Sequence, residues 1–276
     1  MKSVIRFEVH RMVGSWGFRI ALALGLIIAV LQVCFVSIPF AYGDIWSNWR
    51  NGASGTYPPS FYNVWMGLTS YSVFTGIFYH TVPFLACMAY ADSFCWDIHQ
   101  GYAAEIVSRV GRRRYFTAKA LVVTAAAAIV VLVPLVVNIV GTACFVPAYW
   151  PEASTKMFFV SSSNMLADLY YEAPGAFIAV FVAFAVACGM LCALIACVAS
   201  FWIENRFVVV LLPFALCYFL QFMVNGTFLA GFVPFNAITP YQPAVSNVFV
   251  VLAIGAVLLA VTAGCIKVRS KRWEGL

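Results

Sequence analysis

The sequence predicts an all-α integral membrane protein with six transmembrane helices and a cytoplasmic amphipathic helix between spans two and three. Three observations carry that prediction. Of 276 residues 64% are hydrophobic and only 9% charged, whereas a soluble domain carries about a quarter charged residues. Six continuously apolar runs reach the roughly 20 helical residues that cross a hydrocarbon core of about 30 Å. Nearly all the positive charge falls on one side of those runs. The runs are continuous rather than alternating, which favours helices over a barrel, because each segment must satisfy its own backbone hydrogen bonds in lipid.

Along the chain, the opening MKSVIRFEVHRMVGSWGFR is a long polar lead-in, and the apolar run after it exceeds the core of a cleaved signal peptide. Residues 20–40 therefore read as a retained first span. The others fall near 66–91, 120–146, 175–201, 207–229 and 247–266. No long polar stretch leaves room for a second folded unit, so one membrane domain fills the chain. Six spans place both ends on one side, and both are basic: Lys2, Arg6, Arg11 and Arg19, then Lys267, Arg269, Lys271 and Arg272. The positive-inside rule makes that side cytoplasmic in a cell membrane. With Arg109, Arg112, Arg113, Arg114, Lys119 and Arg206 in the inner connections, only Arg50 and Lys156 remain outside. The outer connections are aromatic instead: Tyr42, Trp46, Trp49, Tyr57, Phe61, Tyr62 and Trp65, then Tyr149, Trp150, Phe158, Phe159, Tyr170 and Tyr171. Amphipathic rings settle at the headgroup level, so interfacial anchoring is the expectation for them, with a substrate-contacting vestibule as the alternative.

Several function classes lack their chemistry. The middle thirds of the spans hold no Asp, Glu, Lys or Arg, which argues against an ion-coupled carrier or channel. His80 is the titratable candidate for a pathway, although a single intramembrane His usually bonds between helices. No HExxH zinc motif, no Ser and His aimed at each other and no GxxxxGK[ST] phosphate loop is present, so enzymatic catalysis and ATP hydrolysis by this chain are not expected. Nine cysteines avoid the long outer loops, and Gly189, Ala193 and Cys197 share a four-residue spacing that suits close helix packing rather than metal binding.

The segment HQGYAAEIVSRVGRRRYFTAK, residues 99–119, holds five of the sixteen Lys and Arg. Positive-inside signalling and anionic headgroups account for the arginines. They do not account for Asp97 and Glu105. Residues 94–110 fit one amphipathic helix at 100° per residue, with Trp96, Ala103, Ile106, Val107 and Val110 on one side and Asp97, Gly101, Glu105 and Ser108 on the other. Gly111 offers a stop before Arg112, Arg113 and Arg114 lead into span three. A helix with two such faces rests on the bundle and offers its polar side to a partner.

The stretch PFLACMAYADSFCWDIHQGYAAEIVSRVGRRRYFTAKAL resembles the coupling region of type-2 ATP-binding-cassette (ABC) transporter permeases. The N-terminal IRFEVHRMVGS arm, the tight ENRF turn after span four and the proline-rich VPFNAITPYQP link before span six agree with it. The resemblance covers the whole chain and implies a permease domain over residues 1–276. Coupling to the ATPase would fall to Asp97, Gly101, Glu105 and Arg109, with Arg112, Arg113, Arg114 and Lys119 as a membrane-edge basic patch. Many members show Glu and Gly-Thr where this chain has Asp97 and Gly101-Tyr102. The outer link would form short re-entrant helices, with Pro234, Pro240 and Pro243 interrupting regular helix. The implied partners are a separate ABC ATPase subunit that binds the ATP, a second identical or similar permease, and membrane lipids, with no nucleic acid and no cofactor in this chain. The implied activity is transport, with efflux of a lipid, peptide or drug expected. A non-transporting membrane scaffold or sensor with a basic docking segment is the alternative.

Overall fold

The computed structural model describes residues 2–45, 60–69, 72–152, 160, 164–242 and 245–272. Among these residues there are helices and connections but no strand, and six helices are long and apolar enough to cross a membrane. The protein is a multi-pass, all-α membrane protein. Helix α1 covers Lys2–Gly14, and α2 covers Trp16–Gln32 before continuing through π-helical turns at Val33–Ser37 and Phe40–Ile45. The short α3 is Phe61–Val64, and the second long helix is α4, Val73–Tyr90. Then come α5, Asp92–His99, α6, Tyr102–Val110, and the third span α7, Arg112–Phe145. The short α8, Ala167–Glu172, precedes α9, Pro174–Ala199, and α10, Arg206–Val224. The link holds α11, Pro234–Ile238, and the last span is α12, Val248–Arg272.

Local chemistry sets the breaks. Ser15 separates α1 from α2 by adopting an extended conformation and accepting a hydrogen bond from the Phe18 N–H, a standard N-cap. Asn205 caps α10 in the same way through Phe207 N–H. Pro234 opens α11 at its first turn, where its missing N–H is harmless. It starts a helix rather than interrupting one. Pro83, Pro134 and Pro213 lie inside α4, α7 and α10, and each deletes one backbone hydrogen bond within its span.

Lipid-facing helices gain nothing from expelling water among themselves, so close approach at small residues holds them together. A Cβ on Gly17 would stand 2.5 Å from the Met88 carbonyl oxygen, and one on Gly25 would stand 2.7 Å from Pro134 Cγ. These contacts lock α2 against α4 and α7. Gly189 brings α9 against Val131, Ala86 and Val82, and Ala193 and Cys197 follow it into the interior, 0% and 1% exposed. Outside this core, α10 and α12 present rows of exposed apolar side chains, among them Phe222 and Phe249 at 79% and 78%.

One end of the bundle, here called proximal, gathers α1, α5, α6, the turn after α9 and the final turns of α12. Arg11 of α1 bonds Asp97 of α5, Arg206 bonds Asp92, and Arg269 lies over the Trp202 ring, 5.5 Å from its centroid. Helix α1 and the last turns of α12 thus lie at the same end of the bundle. The distal end is built from residues 60–69, the segment after α7, α8 and the link around α11. Residues 60–69 belong neither to a loop nor to a span. Phe61 N–H donates to Pro147 C=O at 2.9 Å and Ser60 Oγ to Tyr149 C=O at 2.6 Å. Met66 N–H donates to Asn138 Oδ1 at 2.9 Å, and Gln32 Nε2 donates to Val64 C=O at 2.9 Å. The second span accordingly starts at Val73, not near residue 66.

That segment corrects the expectation of interfacial anchoring for three aromatic residues. Trp65 and Tyr170 have no exposed surface and Phe61 has 8%. They pack inside the distal end because residues 60–69 turn back into the bundle, and Tyr170 OH reaches Asn63 Oδ1 at 2.7 Å. Tyr42, Tyr149 and Trp150 are exposed, at 60%, 47% and 57%, as a headgroup-level ring would be. Trp46, Trp49, Arg50, Tyr57, Lys156, Phe158, Phe159 and Pro243 lie outside the described residues, as do the side chains of Lys271 and Arg272.

Candidate functional site

The proximal end concentrates the charged residues that composition makes scarce. The expected single helix over 94–110 is two helices, α5 and α6, joined at Gly101. Gly101 has φ 73° and ψ −4°, a left-handed conformation that glycine adopts at little cost and that ends a helix. Gly111, at φ 92° and ψ 142°, makes the second break before α7. An elbow replaces the rod, and the two halves of the expected polar face part company.

Asp97, expected on an exposed face, is 0% exposed. Arg11 holds it with two nitrogens, at 2.8 Å to Oδ1 and 3.1 Å to Oδ2. Lys119 Nζ donates to its Oδ2 at 2.6 Å, and Tyr115 OH to the same oxygen at 3.0 Å. Lys119, expected in a membrane-edge basic patch, is likewise 0% exposed. It also donates to Glu8 Oε2 at 2.9 Å, and its ammonium lies 4.7 Å from the Tyr90 ring centroid. Glu8 in turn accepts from Arg11 at 3.1 Å and from Tyr90 OH at 2.9 Å. Two acids and two bases thus balance in one cluster, with every carboxylate oxygen bonded and only Arg11 keeping exposed surface, 27% of its side chain. A fork-shaped guanidinium on a carboxylate is the strong form of such a pair. Burial alone would lower the pKa of Arg11, but the hydrogen bond and charge of Asp97 outweigh it and raise the group above its ordinary value. The Tyr102 ring of α6 covers the same guanidinium, 4.8 Å from its carbon.

The cluster joins four elements: α1 through Glu8 and Arg11, α4 through Tyr90, α5 through Asp97, and α7 through Tyr115 and Lys119. A second clasp fixes the other side of α5. Arg206 bonds Asp92 at 3.0 Å and lies 5.0 Å from the Trp96 ring centroid, and Cys95 Sγ donates to the Ile203 and Glu204 carbonyls. Trp96, expected on the apolar side, is 46% exposed, with Arg206 over its ring.

Helix α6 behaves as the sequence predicts. Ala103 is buried and Ile106, Val107 and Val110 are half-buried, while Gly101, Glu105, Ser108 and Arg109 are exposed. Glu105 and Arg109 bond each other at 2.9 Å across one turn, with 62% and 74% of their side chains open. Such a pair contributes only about 0.3–0.5 kcal/mol, so both remain free to exchange it for a partner. Arg112, Arg113 and Arg114 are exposed at the start of α7. His80 stands apart from all of these, on α4, packed 4.7 Å from Phe235 and 5.6 Å from Tyr218 by ring centroids, with its Nδ1 buried and unbonded among the described residues.

Helical-wheel reasoning misses Glu8, Arg11, Tyr90 and Tyr115. Glu8 and Arg11 sit three apart, the spacing of one helical face, and that is the available signal. The remaining partners lie 82 to 111 residues from Glu8, beyond any local pattern. Comparison of the chain with protein-family models, with curated proteins and with solved structures finds no match.

Proposed function

We propose that this chain is the membrane-spanning permease subunit of an ABC transporter, seated in the cell membrane with both termini cytoplasmic. The observation that carries the reading is the α5–α6 elbow. Its outer helix is exposed and holds a weakly paired acid and base, while its inner helix is bolted to α1 and α7 through buried ion pairs. A partner pressing on α6 would move α5 and the third span with it, because pulling Asp97 away would strand buried charges at about 3–5 kcal/mol. Bistable helix motion biased by a ligand on a partner is the physical content of such coupling. ATP hydrolysis belongs to the separate ATPase subunit, and the exposed apolar faces of α10 and α12 leave room for a second permease subunit. The cargo suited to an uncharged, aromatic interior is hydrophobic or amphipathic, and export is its direction.

The burial of Asp97 decides which residues test docking. Glu105→Lys with Arg109→Glu alters the exposed face and leaves the cluster intact. Co-purification from detergent should recover an ABC ATPase with the native chain and lose most of it with the double variant, at unchanged membrane insertion. Absence of any ATPase with the native chain sinks the permease reading in favour of a scaffold or sensor.

A further inference from the structure

Helix α1 turns one face to the ion-pair cluster and leaves the opposite face uncovered. At 100° per residue, Ile5, Glu8 and Met12 fall within about 60° of one another, and Glu8 and Met12 are 0% and 4% exposed. Across the helix, Val9, Lys2, Val13, Arg6, His10 and Phe7 occupy an arc of about 160°, and all six are exposed. Phe7 and Val13 reach 48% and 50%. The acid of α1 thus points inward while its cations and apolar side chains share the outside. Lys2 and Arg6 bond no carboxylate among the described residues.

The path of the chain says what covers that face. Gly17, at the start of α2, lies against Met88, and Glu8 bonds Tyr90, two residues farther along α4. A straight continuation of α2 would carry Glu8 about 13 Å past Gly17, whereas two residues of α4 advance only about 3 Å. Helix α1 therefore lies across the end of the bundle instead of running away from it. The lipid-facing side of the first span begins one residue after the Ser15 break, with Trp16 at 75% exposure and Ile20 at 47%. Arg19 Nε turns back to donate to the Val13 C=O at 3.0 Å, as a cation at the edge of hydrocarbon does. The outer face of α1 is continuous with that edge.

We propose that the outer face of α1 docks on acidic phospholipid headgroups and, by doing so, braces the ion-pair cluster. A helix lying in the interface with Lys and Arg among apolar side chains pairs its cations with anionic headgroups and sinks the apolar groups to the acyl boundary. Lys2 and Arg6 supply the first contact, and Phe7, Val9 and Val13 the second. Glu8 and Arg11 belong to the same helix, so a lipid surface that holds α1 in place holds these two against Lys119 and Asp97. This goes beyond the permease reading and does not depend on it.

The test uses the full chain in nanodiscs of mixed phosphatidylcholine and phosphatidylglycerol, with the photoreactive p-benzoylphenylalanine replacing Val13 or, as a reference, Val257, which is 62% exposed in the middle of α12. After irradiation, intact-mass analysis counts the adducts of each lipid. At position 13 the ratio of phosphatidylglycerol to phosphatidylcholine adducts should exceed that at position 257 by about fivefold for each of Lys2 and Arg6, the worth of one such cation at an anionic surface. Lys2→Gln with Arg6→Gln should return it most of the way to the reference ratio. Both side chains are exposed, so the double variant should melt with the native chain in pure phosphatidylcholine. Phosphatidylglycerol should raise the melting temperature of the native chain, and raise that of the double variant less, because a ligand that holds only the folded form stabilises it. Equal adduct ratios at positions 13 and 257, or adducts chiefly to protein, overturn the lipid surface. Enrichment at position 13 with a melting temperature indifferent to phosphatidylglycerol overturns the bracing.

Discussion

Lys119 has no exposed surface and two carboxylates within 3 Å, a position that only the whole cluster makes tolerable. Lys119→Met should destabilise the protein by about 3–5 kcal/mol, because it leaves Glu8 and Asp97 facing one Arg11. Adding Glu8→Gln should recover part of that loss, and the non-additivity, read by thermal unfolding in detergent, measures the coupling. Glu105→Ala should stay within about 0.5 kcal/mol. Equal effects for Lys119→Met and Glu105→Ala would show that the cluster carries no more weight than a surface pair. The cluster also marks where residue-level reading of the sequence stops. A helical wheel ranks Asp97 as polar and turns it toward water, but it cannot distinguish water from a counter-ion buried on another helix. Glu105 and Arg109 are legible because their environment is local, and Asp97 and Lys119 are not because theirs is supplied by α1.

At the scale of elements, glycines separate positions that need close approach from those that do not. Gly17→Ala places a Cβ 2.5 Å from a backbone oxygen of α4, which no side-chain rotation relieves, and overpacking of this kind costs about 1–3 kcal/mol. A Cβ on Gly76, inside α4, would meet nothing within 4 Å, so Gly76→Ala should stabilise by up to about 1 kcal/mol through helix propensity. Opposite shifts in melting temperature are expected, and matching shifts would mean that α2 and α4 do not touch at Gly17. Five of the six spans are legible near their observed positions from apolar run length alone. The start of the second is not, because Trp65, Met66 and Leu68 are as apolar as any span residue. Only the hydrogen bonds of this segment to Gln32 and Asn138, formed across the bundle, assign it to a re-entrant turn. The elbow escapes sequence reading for a related reason: periodicity continues through Gly101 even though its helical backbone does not.

For the whole molecule, the distribution of charge sets the strongest expectation, with fourteen of sixteen Lys and Arg assigned to one side. The structure gathers α1, the elbow, the turn after α9 and the end of α12 at one end of the bundle, so these segments must share a compartment whichever way the protein is inserted. Fusions after Val110, after Glu152 and after Arg272 test which compartment that is. A reporter that fluoresces only in the cytoplasm should be active at the first and third positions, and one that requires an oxidising exterior should be active only at the second. The inverted pattern would carry α6 to the face away from ATP. No cytoplasmic ATPase could then reach Glu105 and Arg109, and the coupling role of the elbow would fall, even though the ion-pair cluster and the helix packing would be unchanged.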